Sequence, residues 1–198
     1  MAIQEQLHTV DDVWDLAHQP ENDNIHFELI EGELVKMAPP GMLHGSLASL
    51  IAHHLLSYLT ENDMGMVTVE TGYYPKGTRD TLLSPDVAFL SKARLPQSDP
   101  QKYVPIMPDL AVEIMSPSDS LSQIRRKAAI YLEYGTELVW IVMPSALGVD
   151  VCRAGGGAGL HIDFVDQDGK LTGEKVLPGF ELDLTLLFPS QPANKASE

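Results

Sequence analysis

The sequence predicts an α/β (α+β) domain that ends in a small antiparallel meander, and three observations carry that prediction. Apolar runs over 110–115 and 138–143 enclose a helical stretch over 121–134, and a strand, a helix and a strand in succession place the two strands parallel. Residues 44–59 repeat Leu47, Leu50, Ile51, Leu55 and Leu59 at helical spacing. Residues 148–187 break into alternating segments, VDVCR, LHIDFVD and KVLPGFELDL, parted by a glycine-rich turn and a DGK turn.

Taken in order, TVDDVWDLAH at 9–18 has a Thr cap, early acids and spaced apolar residues, so it reads as a short helix that stops before Pro20. FELIEGELVKM alternates around Glu31-Gly32 and predicts a hairpin from Phe27 to Met37. A proline-glycine break at 39–41 precedes the amphipathic helix over 44–59, which stops at Asn-Asp-Met-Gly. Strands follow at Met66–Tyr74, Asp86–Leu90, Leu110–Met115 and Leu138–Met143; the last, LVWIVM, is apolar on both faces and belongs in the middle of a sheet. The helix over 121–134 is capped by Ser118 or Ser120 and stopped by Gly135. GGGAG at 155–159 lacks the GK[ST] and the helix of a phosphate loop and reads as a hairpin turn. Residues 1–188 are expected to form one domain and 189–198 a disordered tail.

Composition narrows the function. Hydrophobic residues at 44% and charged residues at 21% are those of a globular chain, and no stretch approaches the roughly 20 apolar residues of a membrane span. The acidic start lacks the basic and apolar regions of a secretory signal, so a cytoplasmic location is expected. A single cysteine, Cys152, excludes an internal disulfide and a CxxC site. The net charge of −15 argues against a general basic coat for nucleic acid but leaves room for a local one. Arg125, Arg126 and Lys127 are consecutive, and Lys76, Arg79, Lys92, Arg94 and Lys102 share one segment, so a small positive groove on an acidic body is possible.

Glu113 is the residue that asks for a function. It lies inside the apolar run of PDLAVEIMSPS, sharing a strand face with Ala111 and Met115, and a carboxylate on a buried strand is costly unless it is paired or holds a metal. The alternative is a salt bridge to an arginine. Asp109 is on the same face but about 13 Å away along the strand, too far to share a cation. Asp86, in SPDVAFL, starts a strand; if that strand pairs beside 110–115, Asp86 and Glu113 converge on one hard cation, with the backbone carbonyl of Ile114 as a third ligand. Such a magnesium-type site, with manganese as a substitute, suits phosphodiester hydrolysis. A nearby cation is also required. Met115 cannot supply it, but Lys127 sits at the edge of the stripe formed by Ile124, Ala128 and Tyr131, about 60° around the helix from Ile124, where its stem can lie on the core; the alternative is a surface lysine. Arg126 points to solvent.

Together SPDVAFL, PDLAVEIMSPS, the helix carrying RRKAAIYLEYG, the upstream FELIEGELV and the isolated His44 resemble the bacterial Uma-type family of restriction-endonuclease-like proteins, over about residues 10–188. The resemblance implies the PD-(D/E)XK nuclease fold, a mixed sheet flanked by helices, with the motif lysine moved from the strand to the next helix. It makes Asp86 and Glu113 metal ligands and Lys127 the migrated lysine. It matches Glu28 to the acid of the family's first motif and His44 to the histidine that opens the long helix. Met143 stands where the family usually has an aspartate, outside this group. His53 and His54 read as ordinary helix residues.

The expected function is therefore magnesium-dependent endonucleolytic hydrolysis of nucleic acid, DNA first. The competing readings are a binding or regulatory module that keeps the fold without cutting, and a metal-dependent hydrolase of another substrate. Cutting both strands of a duplex calls for a second site, so a homodimer is expected, through the apolar face of the 44–59 helix or an open edge of the meander.

Overall fold

A computed structural model describes residues 7–23, 25–156 and 159–189. The expected tail lies, but for Pro189, outside the described residues.

Helix α1 (Val10–Ala17) opens with a reciprocal capping box in which Thr9 Oγ1 accepts from the Asp12 amide and Asp12 accepts from the Thr9 amide. Strands β1 (His26–Ile30) and β2 (Glu33–Met37) form the expected hairpin, turning through Glu31 and Gly32 at φ 52° and 86°. Helix α2 (Met42–Glu61) is longer than its apolar repeat because nothing in MLHGSL or YLTE breaks a helix. Strand β3 (Gly65–Val69) is shorter than expected: Tyr73 leaves the sheet to bridge Leu83 and Val104. Then come β4 (Val87–Ser91) and β5 (Leu110–Ile114). Helix α3 (Leu121–Glu133) is capped by Ser120. Gly135, at φ 97°, closes it by letting the Thr136 amide reach the Tyr131 carbonyl and its own amide reach that of Leu132. Strands β6 (Leu138–Met143), β7 (Gly148–Ala154), β8 (Leu160–Asp166), β9 (Lys170–Gly173) and β10 (Leu177–Asp183) follow.

Six strands make a mixed sheet in the order β3-β4-β5-β6-β7-β8, in which only β5 and β6, joined through α3, run parallel. The antiparallel C-terminal region divides: β7 and β8 extend this sheet, whereas β9 and β10 pair with each other across a bulge. Alternation sorts the central strands between two faces. Val87, Phe89, Leu110, Val112, Ile114, Trp140 and Val142 meet α2 and the β9–β10 hairpin, while Ala88, Leu90, Ala111, Val139 and Ile141 meet α3. A third cluster, Val10, Val13, Phe27, Leu29 and Leu82, ties α1 and the β1–β2 hairpin to the chain before β4. Leu47, Ile51 and Leu55 of α2 are buried in the first core, so this helix face is not open to a second chain. The sheet's outer strands are β3 and β8.

Candidate active site

Glu113 is on the α3 side of β5, next to last in a strand buried along its whole length. Strand β4 lies antiparallel beside it, and continuing the register one step past Val87↔Val112 sets Asp86 opposite Glu113. Directly opposed side chains begin about 4.5–5.5 Å apart. Asp86 itself stands just before β4, after Pro85, and its Oδ2 accepts the Ile114 amide at 2.6 Å. Ile114 thus meets Asp86 through its N–H.

The cation for Glu113 is Lys127 and not an arginine. Its Nζ lies 2.9 Å from the Glu113 carboxylate and 2.7 Å from Glu28 Oε1, and all three residues are at least nine-tenths buried. Position on α3 explains this placement. Ile124, Ala128 and Tyr131 drive into the core over β6, and Lys127 shares their face, so its stem is covered and its ammonium ends at β5. Glu28 arrives from β1, where its other neighbour is the Ser84 amide, which donates to Oε1 at 2.7 Å. Arg126 points away, as expected, to an exposed pair with Glu31.

Tyr131 was not legible as part of this group. Its hydroxyl donates to Glu113 Oε1 at 2.8 Å. The signal was present, since Tyr131 follows Lys127 by four positions on one helix face, but an aromatic at a core position reads as packing. Asp109 is occupied elsewhere, accepting from Arg94 at 2.7 Å and from the Ser91 amide at 2.6 Å. His44 is in the first turn of α2, with Nε2 3.2 Å from Asp86 Oδ2. Its Nδ1 is buried without a hydrogen-bond partner among the described residues. Glu28, His44, Asp86, Glu113 and Lys127 therefore come together, although the sequence scatters them over 100 positions. His53 and His54 are not among them.

Electrostatics follow from this crowding. Burial pushes the Glu113 carboxyl up to about 8; Lys127 opposes that rise, and the charges of Asp86 and Glu28 add to it. For Lys127 burial works against the charged form, but Glu113 and Glu28 outweigh it and hold the ammonium above the ordinary lysine range. Burial and the neighbouring carboxylates keep Tyr131 a neutral phenol. The hydrogen bond that His44 donates to the Asp86 carboxylate raises its pKa against the opposing effect of burial.

The donor chemistry suits a hard divalent cation: two carboxylates on opposed strands, with Asp86 Oδ1 accepting no hydrogen bond from the described residues. No group of three or more His, Cys, Asp or Glu side chains among the described residues is disposed to hold a metal ion by itself. A cation would rest on Asp86 and share Glu113 with Lys127.

Comparison with known proteins gives a family and a fold. The family called Uma2, described as "Putative restriction endonuclease", matches residues 12–185. Among solved structures, a protein from Anabaena variabilis described as a putative nuclease belonging to DUF820 superposes with a TM-score of 0.75 at 22% identity, over 91% of this chain and 97% of that one. At that identity the likeness speaks for the fold. No curated protein matches the chain.

Proposed function

The chain belongs to the Uma2 family, and from that premise we propose that it is a divalent-metal-dependent endonuclease that hydrolyses phosphodiester bonds in DNA. One observation carries this reading: Asp86 opposes Glu113 across adjacent strands while the Lys127 ammonium stands 2.9 Å from the Glu113 carboxylate. Two hard oxygen donors and a fixed positive charge are what a phosphoryl-transfer site needs. Asp86 and Glu113, with the Ile114 carbonyl, are the residues that would hold magnesium or manganese. Such an ion supplies an ionised water at neutral pH and neutralises charge on the phosphate.

The chain's own groups divide the remaining work. Lys127, held protonated by its two carboxylates, acts as a cation against the charge that develops on the phosphate and not as a base. Glu28 anchors that ammonium from the far side. The Tyr131 hydroxyl fixes the carboxylate plane of Glu113, and His44 and the Ile114 amide fix that of Asp86.

A second reading, a non-cleaving module on the same fold, is favoured by the Glu113 oxygens, which already hold Lys127 and Tyr131, so that the buried charge is balanced without a metal. A titration of cleavage with magnesium and with manganese, on mixed single- and double-stranded nucleic acids, separates the two. Wild type cuts in a metal-dependent way and Asp86→Asn does not, although asparagine can still accept the Ile114 amide and keep the fold. Absence of metal-dependent cutting on every substrate overturns the endonuclease reading.

A further inference from the structure

Among the described residues, Lys36, Lys76 and Lys102 alone of the lysines and arginines have no carboxylate within 4.0 Å. The sequence offered two basic groups for a positive groove, and the structure spends most of both internally, with Lys92 on Asp63, Arg94 on Asp109, Arg125 on Asp150 and Arg126 on Glu31. All three uncommitted cations belong to one lobe: Lys36 is on β2, Lys76 is in the turn after Tyr74, and Lys102 is beside Tyr103. They are local positive points on a body of net charge −15.

The same lobe contains a surface cavity of about 140 Å³, walled by Trp14, Tyr74 and Tyr103 and edged by Arg79 and Lys102. Its cations already lie over its rings, with Arg79 4.9 Å from the centre of Tyr74 and Lys102 5.6 Å from that of Trp14. Trp14 and Tyr103 meet edge to face at 5.1 Å, and His18 packs against Trp14 at 4.1 Å between ring centres. A cavity of about 150 Å³ takes one benzene ring, so this one has room for a pyrimidine and not for a base pair. Acids share the rim. Asp11 is engaged by Arg79, and Asp15 offers an acceptor to an exocyclic amino group of the kind that cytosine carries.

We propose that this cavity is a subsite for one unpaired pyrimidine base of a nucleic-acid strand, the base stacking on the aromatic walls and an adjoining phosphate lying on Lys102 and Arg79. The proposal rests on the nucleic-acid reading above and deepens it, because a base can enter only from a single-stranded end, flap or loop. The chain links the two places. Arg79 edges the cavity, Ser84 donates to Glu28, and Asp86 follows, so that at most about 25 Å of backbone separates cavity from carboxylate and the captured base is a few nucleotides from the phosphate to be cut.

The test is a fluorescence titration of Asp86→Asn in EDTA, where no cutting intervenes, with a short single-stranded pyrimidine oligonucleotide and with the same strand annealed to its complement. Of the two tryptophans Trp140 is fully buried, so a stacked base quenches Trp14. The single strand is expected to quench and the duplex not to. Trp14→Ala should weaken single-strand binding about ten-fold, Trp14→Phe should retain most of it, and Lys102→Gln should weaken it and flatten its salt dependence. Equal binding of single strand and duplex, or unchanged affinity in Trp14→Ala and Lys102→Gln, overturns the proposal even if wild type proves to be a metal-dependent nuclease. Quenching by the single strand with its loss in Trp14→Ala upholds the subsite even if wild type never cuts.

Discussion

Replacing Lys127 with Met keeps the length of the stem and removes one ammonium from between two carboxylates. In the wild type that ammonium is 2.7 Å from Glu28 and 2.9 Å from Glu113, and none of the three side chains is more than 11% exposed. Removing one partner of a buried ion pair costs about 3–5 kcal/mol, and below about pH 8 the loss belongs at the low end because Glu113 already holds a proton there. The pH dependence follows from linkage. The Glu113 carboxyl is at about 8 with Lys127 opposing its rise, so without Lys127 it stands higher still. Below about pH 8 both folded chains hold this proton, which the unfolded chain has released, and both lose stability alike as pH rises. Above it the wild type has let the proton go, whereas the variant keeps it, so the deficit should widen by up to about 1.4 kcal/mol per pH unit. Urea unfolding followed by circular dichroism, at about pH 6.5 and about pH 9, measures both quantities. The double change Lys127→Met with Glu28→Gln removes one of the stranded charges and should recover part of the loss. A deficit under about 1 kcal/mol at the lower pH, or one that does not grow at the higher, would refute the reasoning, since an exposed ion pair contributes no more than that.

In cleavage, Lys127→Met should lower the single-turnover rate by at least about a hundred-fold if its charge meets the transition state; an unchanged rate returns Lys127 to a purely structural part. Proton titration by NMR should find His44 above the ordinary histidine range, and Asp86→Asn should bring it down, because the hydrogen bond that His44 donates to Asp86 is the main cause of the rise. Cys152 is fully buried, with its thiol pushed up to about 12 by burial first and Asp150 second, so thiol reagents should modify it only after unfolding; rapid modification of the native chain would contradict its placement. Light scattering is expected to give a dimer, and a mass fixed at the 21.7 kDa of one chain at all concentrations would mean that duplex cutting proceeds by successive nicks.

Much of this site was legible because the backbone periodicities are rigid. An acid inside LAVEI has one face to go to, and a proline before Asp86 marks where a strand starts, so opposition of Asp86 and Glu113 required only that the two strands be neighbours. Lys127 followed from helical phase in the same way. Glu28 and His44 did not. Nothing in FELIEGEL or MLHGSL says which distant group each will meet, and only resemblance assigned them. The Ile114 amide escaped for a related reason, since backbone donors carry no sequence mark. The early end of β3 was hidden because Thr71 to Tyr74 suits a strand locally, and long-range bridges from Tyr73 to Leu83 and Val104 take it elsewhere.

The Lys127 ammonium joins two separately packed bodies, through Glu28 the lobe of α1 and β1, and through Glu113 and its own stem the core shared by the central sheet and α3. Chemistry at this point is then conditional on completed folding. A chain that has formed its sheet but not seated the lobe has one carboxylate where it needs two, and an ammonium free to swing. On the proposed reading, local opening of the lobe would disarm the site without unfolding the sheet, and cutting would wait until the last contact is made.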